Sequence, residues 1–167
     1  MSGRISALEM AVGFEIGAYD RVQLADWVDT EVMACDRIEG PLLELTTLGD
    51  KSDHAIVADL YELAGVGPDL STHLWLACLA AGRMHLVIAC MGRMVEAERV
   101  DLGLAIAHLY AQAYGGNDLT EDERSALLHL EYGYELAVAQ TWGTLDDVRA
   151  EFFAFTSRYR HLLASVR

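Results

Sequence analysis

The chain has 167 residues, 53% apolar and 23% charged with only 2 prolines, which excludes a disordered acidic tail and places its carboxylates on a folded surface. A chain of this length buries roughly 70% of its unfolded surface, enough for one helical domain over residues 1–167 that needs neither metal nor disulfide. The net charge of −14 opposes direct nucleic-acid binding and is unevenly placed: residues 1–70 carry 14 Asp and Glu against 4 Arg and Lys, residues 71–115 carry 3 of each, and residues 116–167 carry 9 against 5.

Helical periodicity runs throughout and no window alternates as a strand does, so the expected fold is all-α, a bundle of about seven to eight helices around a central apolar hairpin. Arg4 to Val12 is expected as a first short helix and Asp20 to Asp36 as a second, capped by Asp20. Glu39, Gly40 and Pro41 end it. Pro41 suits the first turn of a third short helix through Leu48, Gly49 stops that one, and Asp50 or Ser52 caps a fourth reaching Ala64. After a break at Gly65-Val66-Gly67-Pro68, Asp69 or Ser71 opens the apolar hairpin, which divides near Gly82 or Gly92 and resumes from Glu96 to Tyr114. Its stretch from Leu74 to Gly92 approaches membrane-spanning length. Arg83 and His85 at its centre assign it to the protein core instead, because an Arg there costs about 2.5–3.5 kcal/mol on insertion scales. Gly115 to Asp118 turn the chain, and Thr120 with Glu123 and Thr144 with Asp147 spell capping boxes for helices reaching Thr141 and Ser165.

Cys35, Cys78 and Cys90 lie in apolar helical patterns without Cys-x-x-Cys spacing, so buried free thiols in a reducing compartment are expected. Arg4 and Glu9 interrupt any secretory start, and a cytoplasmic protein without a membrane anchor follows. No two of the 6 histidines are four apart. Asp50 with His54 and Asp69 with His73 have that spacing, but each Asp stands where a helix needs its N-cap. No metal or cofactor is expected. Serine elbows, phosphate-binding glycine loops and dinucleotide fingerprints are missing from the sequence, and no reaction is assigned. Arg149, Arg158, Arg160 and Arg167 suit the negative end of the last helix. Tyr132, Tyr134, Trp142, Phe152, Phe153, Phe155 and Tyr159 are spaced to fill a core, with a ligand pocket as the other use of such a set.

The second helix carries the sharper functional expectation. At 100° per residue Leu24, Val28, Val32 and Cys35 share a core-facing stripe with Trp27 at its edge, while Asp26, Asp29 and Asp36 lie opposite, with Val22 and Met33 among them. Single exposed apolar residues are ordinary, yet set among carboxylates they also suit a small hot spot in an acidic interface.

The run DRVQLADWVDTEVMACDRIEGPLLELTTL, Asp20 to Leu48, joins an acidic helix with Ala25-Asp26-Trp27 to a break at Pro41 and then Leu42-x-Glu44-Leu45. It resembles the opening of small all-helical bacterial toxin-immunity proteins of the polymorphic-toxin and contact-dependent-inhibition type. The resemblance implies a cytoplasmic inhibitor that binds and neutralises a cognate toxin. Nuclease toxins are commonly basic, which an acidic face fits independently. The expected function is therefore that of a non-enzymatic, monomeric or small-oligomeric binding protein. Its basic protein partner would be contacted through Val22, Asp26, Asp29, Glu31, Met33, Asp36 and Glu39. Two other classes remain: a helical small-ligand or metal-binding protein or enzyme using His85, His108 and His129, and an acidic nucleic-acid mimic with carboxylates spaced like phosphates.

Overall fold

Short polar side chains decide where the helices begin. In the computed structural model, which describes residues 4–66, 83–114 and 119–165, Ser6 Oγ accepts from Glu9 N–H while the Glu9 carboxylate accepts from Ser6 N–H at 2.8 Å, and this reciprocal pair starts Ala7–Glu15 (α1). Asp20 and Gln23 form the same box ahead of Arg21–Ala34 (α2). Pro41, whose missing N–H costs nothing in a first turn, opens Pro41–Leu45 (α3). A 3₁₀ turn follows at Leu48–Asp50, and Ser52 caps Asp53–Leu63 (α4).

In the rest of the described chain, Arg83–Glu96 (α5) precedes Leu102–Ala113 (α6), which Asp101 caps. The boxes at Thr120/Glu123 and Thr144/Asp147 start Glu121–Val138 (α7) and Leu145–Ser157 (α8), and a 3₁₀ segment runs over Arg160–Ser165. Among the described residues there are eight α-helices and no strand, the all-α class that periodicity predicts.

Several boundaries differ from the expectation, each where a local cap or turn outweighs periodicity. The Ser6 box starts α1 three residues after Arg4, and the helix continues past Val12 to Glu15. Asp50 lies in the 3₁₀ turn, so the cap of α4 is Ser52. The stretch from Glu96 to Tyr114 is not one helix: Glu98 takes a left-handed φ of 56° and Asp101 begins a new element. Helix α7 stops at Val138, and α8 at Ser157 rather than Ser165. The expected starts at Asp69 and Ser71, the division at Gly82, the Asp69–His73 pair, the apolar stretch from Leu74 up to Gly82, Cys78 and the turn at Gly115 to Asp118 lie outside the described residues.

The helices assort into two compact units, α1 to α4 and α5 to α8. In the first, α1 is apolar nearly all round and is covered accordingly, with Leu8, Met10, Ala11 and Val12 buried against the chain around Leu24, Leu45, Ile56 and Leu60. Trp27 joins this core and donates its indole N–H to the Ile5 carbonyl at 2.9 Å, which satisfies its one polar atom. In the second, α5 supplies Met84, Ile88, Met91 and Met94, all buried with Ile106, Leu127, Phe152 and Phe155. The described half of the expected apolar hairpin is thus core. No helix of the described residues is long and apolar enough to cross a membrane.

Gly92 does not break α5. A Cβ there would lie 2.5 Å from Thr156 Oγ1 and 2.7 Å from Thr156 Cβ, so glycine permits α5 and α8 to approach closely. Gly92→Ala should therefore destabilise the second unit by about 1–3 kcal/mol, despite alanine's better helix propensity. Urea denaturation of the variant measures this, and unchanged stability would show that the two helices separate at no cost.

Candidate partner-binding face

Helix α2 is built with two faces. Leu24, Trp27 and Val28 are buried, and the opposite line carries Val22, Asp26, Asp29 and Met33 at i, i+4, i+7 and i+11, within an arc of about 60°. Val22 is 69% exposed and Met33 86% exposed, with both aspartates exposed between them. Eleven residues of helix separate the two apolar side chains by roughly 16 Å. Asp36 and Glu39 continue the exposed acidic surface beyond the helix end.

Charge balance sharpens this face. Each of the 4 Arg and Lys of residues 1–70 is taken by a carboxylate. Arg4 holds Glu31 through two bonds of 2.9 and 2.7 Å, Arg21 meets Asp53 at 2.6 Å, Lys51 bridges Glu44 and Asp59, and Arg37 pairs with Glu39. Asp26, Asp29 and Asp36 make no ion pair among the described residues. Their field is left uncompensated, and such a surface accelerates encounter with a cationic partner.

Two of the expected contributors stand apart. Glu31 projects away from the acidic line and, with Arg4, Trp27, Cys35, Leu42 and Leu63, lines an open cleft of about 340 Å³. Its charge is already matched by Arg4. Glu39 stays exposed, but its charge is shared with Arg37.

Two core expectations on this helix fail. Cys35 is exposed, because it is the C-cap and its extended backbone (φ −100°, ψ 133°) takes it off the helical stripe. Val32, one turn earlier, is only half-buried. Cys90 is buried as expected, with its Sγ 3.9 Å from the Met94 sulfur.

The three histidines of the metal or enzyme alternative have separate surroundings. His85 Nε2 lies 2.9 Å from Glu123 Oε1 and its ring stacks on Tyr159 with centroids 4.8 Å apart. His129 is exposed on α7, 3.9 Å from Glu151, and His108 is half-buried on α6. Among the described residues no three His, Cys, Asp or Glu side chains gather as metal ligands.

Around Glu123 the polar chemistry is concentrated. One carboxylate oxygen accepts from the Thr120 backbone N–H and hydroxyl at 2.7 and 2.9 Å, and the other accepts from the Tyr159 hydroxyl and faces His85. Burial pushes this carboxyl's pKa up, but the bonds from Tyr159, Thr120 and His85 outweigh it and hold the group at about 2. Burial, and then the neighbouring carboxylate, push Tyr159 up to about 12. Every lone-pair direction of the carboxylate is used internally, so this cluster ties α5, α7 and the chain after α8 together.

The C-terminal aromatic set divides. Phe152 and Phe155 are buried, Tyr134, Phe153 and Tyr159 are half-buried, and Tyr132 and Trp142 are exposed. Core filling therefore describes Phe152 and Phe155 of α8 and fails for Trp142, which lies in the loop between two capped helices. No family model, no curated protein and no solved structure matches this chain.

Proposed function

We propose that this is an acidic binding protein of the toxin-immunity kind, which neutralises a basic bacterial toxin in the cytoplasm by docking the outer face of α2 onto it. The observation that carries this is the exposed line Val22, Asp26, Asp29 and Met33, an apolar residue at each end and two unpaired carboxylates between. Anchors at i, i+4, i+7 and i+11 are how a helix is read by a groove in a partner. The carboxylates set encounter and register, while the apolar ends resist dissociation. The resemblance of Asp20 to Leu48 to immunity proteins points the same way. Mimicry of nucleic acid fits less well, since an array imitating phosphates has no use for a Met33 that is 86% exposed. Binding, with no turnover, is the proposed activity.

The gene adjacent and upstream is expected to encode a secreted toxin, and co-expression with that product should restore growth to cells that the toxin alone arrests. Replacing Asp26 and Asp29 with Lys should slow association and flatten its salt dependence, and Met33→Ala should speed dissociation. Stability in both variants should stay within about 0.5 kcal/mol, as for surface sites. Failure of the upstream product to bind, or wild-type kinetics in both variants, would overturn the proposal.

A further inference from the structure

The loop joining α7 to α8 holds its tryptophan outward by construction. The Leu136 carbonyl accepts from Thr141 N–H at 3.0 Å, from the Thr141 hydroxyl at 3.1 Å and from Trp142 N–H at 3.4 Å, folding the loop back onto the end of α7. Gln140 and Gly143 take left-handed φ values of 55° and 72°, and the Thr144/Asp147 box fixes the chain immediately after. A left-handed glutamine is uncommon and persists only where its surroundings impose it. In this setting Trp142 is 68% exposed, and Leu136, Val138 and Leu145 around it are exposed as well. A side chain that most folds cover is here presented on a braced turn.

Tryptophan is among the residues enriched at binding hot spots, and on a preorganised loop little ordering entropy is lost when a pocket closes over it. The charges around it select the occupant. Over residues 131–151 five carboxylates, Glu131, Glu135, Asp146, Asp147 and Glu151, stand against Arg149 alone. Glu135 and Asp146 are exposed beside the apolar group. An anionic lipid surface is repelled by such a rim, and a cationic one is drawn to it.

We propose that this hairpin tip is a second docking surface, on which Trp142 enters an apolar pocket rimmed by Lys or Arg on a protein partner. It uses no residue of α2 and stands whether or not the α2 face binds a toxin.

The test uses the full chain with Asp26 and Asp29 already changed to Lys and Val22 and Met33 to Ala, which removes both the carboxylates and the apolar ends of the α2 line. The probe is a fluorescently labelled amphipathic helix of leucine and lysine, followed by anisotropy. Saturable binding is expected, weakened about 30-fold by Trp142→Ala and less by Trp142→Phe, the size of change that defines a hot-spot residue. Asp146→Lys should weaken it too. Denaturation of the Trp142 variants at the parent midpoint shows that folding is intact. The proposal is overturned by absence of saturable binding, by equal binding with Trp142→Ala, or by equal binding of a leucine–glutamate helix. It is also overturned if Trp142 proves to drive attachment to phosphatidylcholine vesicles or self-association in sedimentation. Loss of toxin binding through α2 with this result intact would separate the two proposals.

Discussion

Ile88→Ala is expected to cost about 2–5 kcal/mol of stability, the range for truncating a fully buried aliphatic side chain whose site cannot collapse. Ile88 has no exposed surface and sits on α5 among Met84, Met91 and Met94, themselves buried. Methionines are adaptable and fill part of a cavity, which favours the lower half of that range. Urea denaturation followed by circular dichroism gives the value, and a loss under about 0.5 kcal/mol, the size of an ordinary surface change, would remove α5 as the central packing element of its unit.

Glu123→Ala should cost about 2–4 kcal/mol at neutral pH. It removes the reciprocal half of the α7 capping box and leaves the Thr120 N–H, Tyr159 hydroxyl and His85 without their acceptor in a partly buried place. The pH dependence tests the cause. The Glu123 carboxyl titrates near 4.5 when unfolded and at about 2 when folded, so the stability it contributes is present above pH 4.5 and is lost as pH falls toward 2. Tyr159 runs the other way: its pKa rises from 10.0 to about 12 on folding, so its contribution is present below pH 10 and is lost as pH climbs toward 12. Glu123→Gln should flatten the acid limb, and Tyr159→Phe the alkaline limb. Unchanged acid sensitivity in Glu123→Gln would place the responsible carboxylate elsewhere.

The sequence by itself determined the starts of α2, α7 and α8, because a cap is local: Asp20, Thr120 and Thr144 each bond a backbone N–H two or three residues on, and nothing distant competes. It also determined the two-faced character of α2, since Leu24, Val28, Asp26 and Asp29 follow from 100° per residue and a buried apolar side. Helix ends were legible only in part. Glu98 and Gln140 turn the chain in left-handed conformations that glycine alone would advertise.

The tertiary structure decided which charges remain free. Arg4 reaches Glu31 across 27 positions and Arg21 reaches Asp53 across 32, and no spacing rule within a helix foretells such pairs. It decided too that Gly92 is a point of contact between helices rather than a break, and that Glu123 serves Tyr159 and His85 as well as its own cap. Trp142 is the plainest case. Composition places an aromatic residue in the core, whereas the hydrogen bonds of one short loop to the Leu136 carbonyl leave it outside. Local bonds are written in neighbouring residues; burial depends on what the rest of the chain brings alongside, and only the folded molecule fixes that.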